Sequence, residues 1–508
     1  MTAPSHSADA RDEGLSREVY LVAAVVIVGV IMSILDTTIV NVALEVLARE
    51  LDADLNTIQW VSTGYLLALA VVIPLTGWMS ERFGAKRIYM VSVALFGLGS
   101  ALCGLAWSAE SLIFFRVLQG AGGGMIMPVG MSMLAQAAGP HRVGRVMSVV
   151  GVPMLLGPIF GPVIGGLLVD NVSWRWIFFV NLPVVVLALV LAQRFLTADH
   201  GRADAGRFDL LGLLLLSPGL AAIVFGLSQS ESHGGFTALI VWGPIVAGVL
   251  LVAAFTMHAL RIPRPLLDMR LFREPVFSAA AATTFLVGAA LFGAMILMPL
   301  YYQVVRGESA LTAGLLMAPQ GVGAALAMPV AGRLTDRVGG GRVAVFGLIF
   351  ATVGTLPWVA VSATSSYAVL GGILVLRGIG IGCTMMPAMA AAYAVLSGPQ
   401  VPRATSALNV IQRVGGSLGT ALLAVVLQGH IKDAVGAGGQ GQQTLQRLPE
   451  AARQRVAEPL SEAFGQTFWW AVAMTTLALV PALILAAASR RSGSRHRASG
   501  TAPAQQAA

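Results

Sequence analysis

Asp36 is the one carboxylate that the sequence sets deep inside an apolar stretch; Glu45 falls near one end of the same stretch and Asp209 near the start of another. An ionised acid in hydrocarbon is costly, so its presence points by default to function. The chemistry open to it is reversible protonation, because a low-dielectric setting favours the neutral form of an acid. Further along, Arg116, Gln119, Gly120, Gly123 and Gly124 recur at i, i+3, i+4, i+7 and i+8, which puts them on one helix face. A buried arginine needs a polar cavity or a partner, and the glycines let a neighbouring helix approach closely. On this reading Arg116 tunes the proton affinity of Asp36 or relays its proton through water. The competing reading locks Asp36 in an ion pair with Arg116, with further hydrogen bonds from Thr or Asn, and makes Arg116 a fixed structural cation. Arg377 sits in a comparable apolar run and reads as structural.

Two stretches repeat each other 255 positions apart. Pro74, Gly77, Glu81, Arg82 and Gly84 are followed by Lys86 and Arg87; Pro329, Gly332, Asp336, Arg337 and Gly339 are followed by Arg342. The shared pattern P-x-x-G-x-x-x-[DE]-R-x-G sets one acid and several bases beside a glycine turn. Such loops can form inter-helix ion pairs that hold one conformation closed. Orientation signalling alone would need only the positive charges. A third pattern, Gly157-Pro158 through Gly161-Pro162 to Gly165, spaces glycines four apart along one helix. It allows tight helix contact, and each proline removes a backbone donor and can bend the helix. The expectation is a flexible seal between two halves of the molecule, with ordinary tight packing as the alternative.

The elements that carry these residues follow from composition. Of 508 residues 56 % are hydrophobic and only 11 % charged, where soluble domains carry about 25 %. Apolar runs of helix-spanning length recur along the whole chain, and backbone amides in hydrocarbon must be satisfied internally, so the runs are helices. Fourteen are predicted, near 19–46, 57–80, 88–107, 111–137, 143–169, 174–196, 208–228, 237–258, 276–303, 311–332, 343–363, 367–396, 403–428 and 464–488. This gives an all-α membrane protein with a cytoplasmic tail 1–18, a six-helix bundle 19–196, and a linker 197–275 holding two inserted helices. A second six-helix bundle follows at 276–488, with an external loop 429–463, and then a disordered cytoplasmic tail 489–508. With both termini inside, twenty-two Lys and Arg residues fall on the cytoplasmic side and seven outside, as the positive-inside rule requires. The net charge of +8 is therefore assigned to membrane topology and not to nucleic acid. Cys103 and Cys383, the two cysteines, lie in apolar segments and do not suggest a disulfide framework. There is no phosphate-binding G-x-x-x-x-G-K-[ST] loop, no histidine spacing for a metal, and no nucleophile–base constellation.

The repeated loops resemble the cytoplasmic signature of the major facilitator superfamily. Leu35-Asp36-Thr37-Thr38 through Asn41, Arg116 with Gln119 and Gly120, the Gly157–Gly166 run, and Trp174-Arg175-Trp176 through Asn181 and Pro183 narrow the resemblance to its fourteen-helix drug:proton antiporters, the EmrB/QacA-like group. Two positions depart from that pattern: Glu45 stands where proline is usual, and Glu81 replaces an aspartate while keeping the charge. The resemblance implies the major facilitator fold, with two six-helix halves plus an inserted pair. It also implies a non-enzymatic, proton-coupled exporter of lipophilic or monocationic small molecules in a bacterial inner membrane, functional as a monomer. H⁺ would be its coupling ion and no cofactor is expected. Export of an endogenous lipid or secondary metabolite is the alternative; a membrane enzyme or a channel is more distant.

The expected substrate cavity draws on Asn41, Gln59, Trp60, Tyr65 and Gln119 in the first half. Met295, Met298, Tyr301, Gln320, Asn409 and Gln412 come from the second. Methionine and aromatic surfaces adapt to varied apolar ligands. At any one of these positions, lipid-facing or core packing is the competing role.

Overall fold

The computed structural model describes residues 16–139, 142–197, 199, 201, 206–230, 235–435 and 450–499. The first half comprises α1 (Arg17–Glu50), α2 (Leu55–Val72), α3 (Leu75–Phe83), α4 (Ala85–Gly104), α5 (Ala109–Ala138), α6 (Val143–Asn171), α7 (Trp176–Phe179) and α8 (Asn181–Phe195). A hairpin of α9 (Leu210–Gln229) and α10 (Leu239–Arg261) follows. The second half comprises α11 (Pro275–Leu300), α12 (Ala310–Val338), α13 (Gly340–Thr355), α14 (Tyr367–Gly382), α15 (Met385–Tyr393), α16 (Val401–Val435) and α17 (Glu450–Ser499). Twelve helical spans among the described residues are long and apolar enough to cross a membrane. The bent pair α2–α3 makes a thirteenth, and the 29-residue α6 is of spanning length too. A fourteen-helix chain is compatible with this set.

Local chemistry places the ends. Ser16 and Asp54 cap α1 and α2 with side-chain oxygens, and Ser108 forms a reciprocal capping box with Ser111 at the start of α5. The two repeated glycines adopt one conformation: Gly84 joins α3 to α4 at φ 89°, ψ 140°, and Gly339 joins α12 to α13 at φ 91°, ψ 140°. Side chains disfavour that region, so the turn demands glycine at both copies.

Several predicted helices are interrupted. The one expected at 57–80 breaks at Ile73–Pro74 and bends by 55°, where proline withdraws a backbone donor; its repeat partner Pro329 stays inside a continuous α12. The stretch 174–196 is divided between α7 and α8 at Val180, and 367–396 between α14 and α15 at Cys383–Thr384. α11 runs on into a π-helical turn at Tyr301–Val305. The loop expected at 429–463 is helical at both ends, since α16 extends to Val435 and α17 begins at Glu450; its centre, 436–449, lies outside the described residues. The tail expected to be disordered from 489 continues α17 to Ser499. Residues 1–15 and 500–508 also lie outside the described set.

Between apolar helices in lipid, close packing and not water exclusion favours association, so small residues mark the tightest contacts. A side chain at Gly99 of α4 would stand 2.6 Å from the Cα of Gln119 on α5, which brings those two backbones into contact beside Arg116. The Gly157, Gly161 and Gly165 stripe of α6 faces Ile34, Thr38 and Ile39 of α1. That corrects the expectation of a seal between halves: the stripe locks two helices of the same half, while the beginning of α6 meets the second half through α12 and α15. The side chains of Pro158 and Pro162 lie outside the described set. The hairpin packs α9 on α10 and sets α9 against both α2 and α16.

Candidate functional site

Asp36 is fully buried, and four elements converge on it. Arg116 of α5 donates from a terminal guanidinium nitrogen to Oδ2 at 2.7 Å. Gln119 of α5 and Asn181 of α8 donate side-chain amides to Oδ1 at 2.8 and 2.9 Å. Asn181 also donates to Ser100 Oγ of α4, which donates to the Phe178 carbonyl. Arg116 is itself satisfied by the Val61 carbonyl at 3.1 Å, by Gln119 Oε1 at 2.8 Å and by the face of Tyr65, 4.1 Å from the ring centroid. The geometry is that of the competing reading, a carboxylate held in an ion pair. Such a pair is tolerated in a dry interior only when its remaining donors and acceptors are met, as here.

A cavity of about 370 Å³ lies next to this pair but does not include it. α1 contributes Ser33, Ile34, Thr37 and Thr38 to its wall, while Asp36 on the same helix bonds to α5 and α8. The apolar wall is rich in methionine, with Met127, Met295, Met328, Met385 and Met386 together with Phe292. α9 supplies Val224, Leu227 and Ser228, so the hairpin forms part of the wall. From α16 come Asn409, Gln412, Arg413, Gly416, Ser417 and Thr420. Among the described residues Arg413 is the one charged residue lining the cavity.

Three of the expected cavity residues, Met295, Asn409 and Gln412, do line it. The others lie elsewhere. Tyr65 and Gln119 belong to the ion-pair network. Asn41 accepts a hydrogen bond from Ser62, Gln59 and Trp60 are exposed, and Trp60 stacks on Phe225 of α9. Met298 and Tyr301 join a separate core with Trp358 and Phe464, and Gln320 accepts from the buried Arg377. Asp36 is not among the residues lining the cavity. Arg413 is a further arginine within an apolar helix of the sequence. Positions 409, 412, 413, 416, 417 and 420 follow helical spacing, and that polar face of α16 was the available signal.

At the end bearing Gly84 and Gly339, each repeat grips the opposite half. Arg403 of α16 donates to Glu81 Oε2 at 2.8 and 3.1 Å. Asp336 of α12 accepts from the backbone amides of Gly144 and Arg145, at 2.9 and 3.3 Å, at the start of α6. The Arg145 guanidinium lies 3.8 Å from the same carboxylate. Gly77 lies against the Arg403 backbone and Gly332 against the Arg145 backbone. Thr76 and Ser406 hydroxyls meet at 2.5 Å between the same helices. Both acids thus reach across the molecule, and Arg82, Arg87 and Arg337 are exposed at this end. Among the described residues no cluster of His, Cys, Asp and Glu is placed to hold a metal.

The sequence profile of the Major Facilitator Superfamily matches residues 26–420. The chain belongs to that superfamily. Among its relatives, a "Multidrug resistance protein B homolog" of Mycobacterium tuberculosis is 40 % identical over 496 residues, covering 94 % of this chain and 91 % of the relative. The "Multidrug export protein EmrB" of Haemophilus influenzae is 32 % identical over 393 residues, 77 % of each chain. The structure of the proton:xylose symporter XylE superposes with a TM-score of 0.60 at 15 % identity, over 92 % of this chain and 95 % of that one, a likeness of fold. The chain is thus a multi-pass membrane protein with the major facilitator fold, and among its relatives it is similar to the EmrB-like drug-efflux transporters.

Proposed function

We propose that this chain exports lipophilic small molecules by proton antiport, as a monomer in a bacterial inner membrane with both termini cytoplasmic. The observation that carries the reading is the placement of a methionine-rich cavity one helix thickness from a buried, fully bonded Asp36–Arg116 pair. Names of relatives as multidrug resistance and export proteins support the substrate class. Protonation of Asp36 would cancel its attraction for Arg116 and leave the guanidinium with the Val61 carbonyl, Gln119 and the Tyr65 face. Because α1 carries both Asp36 and part of the cavity wall, a shift that re-seats the pair moves the wall. With the basic loops inside, the clamps of Glu81 and Asp336 close the cytoplasmic end, and this form faces outward.

Purified full-length protein in liposomes with an imposed pH gradient provides the test. Addition of a transported lipophilic compound should release protons from the vesicles in step with its movement. Compound movement with no proton flux would overturn antiport.

A further inference from the structure

We infer that Arg413 is an anion-binding group of the substrate cavity, and that the cavity takes amphiphiles carrying one acidic group, such as an aryl carboxylate, in preference to cationic ones. This rests on the reading of the central cavity as the substrate site. Among the described residues no carboxylate lines the cavity, and no hydrogen bond or ion pair reaches the Arg413 guanidinium. The nearest buried acid of the first half, Asp36, is already committed to Arg116, Gln119 and Asn181. Tyr65 lays its ring on the Arg116 guanidinium, 4.1 Å from the centroid. A cation in a largely apolar chamber without a protein partner is completed by a ligand that brings the opposite charge.

The surroundings fit the two ends of such a ligand. Guanidinium presents a planar fork that matches a carboxylate in a bidentate pair. Gln412 and Ser417 on the same face of α16 add neutral polar groups. Met295, Met385 and Phe292 offer a deformable apolar wall for the hydrocarbon body. A monocation would instead meet an uncompensated like charge.

The probes are a naphthyl-alkanoate, its primary amide and its trimethylammonium analogue. Their binding to the full chain in a neutral detergent is measured by calorimetry, and their transport in the proton-release liposomes described above. The wild-type protein should bind the carboxylate about tenfold more tightly than the amide, and the cation most weakly. Arg413→Gln should bring the carboxylate-to-amide ratio to about one; Arg413→Lys should keep part of the ratio. Wild-type protein that fails to prefer the carboxylate, or a ratio unchanged in Arg413→Gln, overturns the inference. The wild-type ranking decides even if a variant does not fold. Proton-coupled export of the amide with no preference for the carboxylate would sink this inference and leave antiport standing. Arg413-dependent binding of the carboxylate without proton flux would do the reverse.

Discussion

Arg403 places two donors on a single oxygen of Glu81, at 2.8 and 3.1 Å, across the boundary between the halves. Asp336 makes the reciprocal contact with the start of α6. Each repeat is therefore a latch whose catch belongs to the other half. Glu81→Gln should loosen this end and shift the population toward the opposite facing. Spin labels on Gln193→Cys and Arg333→Cys, both exposed at this end, should report a longer distance component in Glu81→Gln than in the parent. An unchanged distance distribution would show that the pair does not bias the conformation.

Gly77→Ala adds a methyl 2.9 Å from the Arg403 Cα, where only backbone movement can relieve it. Gly332→Ala does the same 2.9 Å from the Arg145 Cα. Overpacking of this kind costs about 1–3 kcal/mol and falls on the closed form alone. Both variants should reach the membrane in normal amounts and transport poorly. Wild-type transport rates in either one would remove the close approach from the cycle.

Asp36→Asn should cost stability as well as coupling, because it leaves Arg116 buried without its counter-charge, a loss of about 3–5 kcal/mol. The double variant Asp36→Asn/Arg116→Gln should recover part of the melting temperature in detergent and none of the proton-driven export. Recovery of export in the double variant would reduce the pair to a structural support.

Most of this architecture was legible in the sequence because hydrocarbon permits few alternatives. Apolar length gave the helices, and the spaced repeat gave the glycine turns at Gly84 and Gly339. What was not legible was which helix each face meets. Gly157, Gly161 and Gly165 announce a close contact, yet four-residue spacing says nothing of whether the neighbour is α1 or the other half. Asp36 and Ser33 share one helix, and only the tertiary arrangement sends one to the ion pair and the other to the cavity. Arg413 was visible as a helix-borne charge, but its role depends on the absence of an acid nearby in space. The break at Ile73–Pro74 was hidden for a similar reason: Pro329 occupies the equivalent repeat position without interrupting α12.

Orientation can be read with single cysteines in a background lacking Cys103 and Cys383. Asp433→Cys, exposed at the end of α16, should react with an impermeant thiol reagent added outside intact cells. Arg342→Cys, exposed at the start of α13, should react only after permeabilisation. The opposite pattern would invert the proposed topology.

The wall contributed by α9 gives a size test. Val224→Trp should narrow a chamber of about 370 Å³ and reduce transport of bulky compounds more than of small ones. Equal effects across a size series would place the substrate path away from the hairpin.

The hairpin also makes the molecule mechanically lopsided. Ser217 donates to the Val71 carbonyl at 2.7 Å and Phe225 stacks on Trp60, so α9 is fastened to α2, whereas Gly235 at the hairpin's tip rests on Val425 of α16 through an apolar contact. In the proposed export cycle the inserted pair would ride with the first half as a stationary jamb, and α16 would be the moving edge of the chamber.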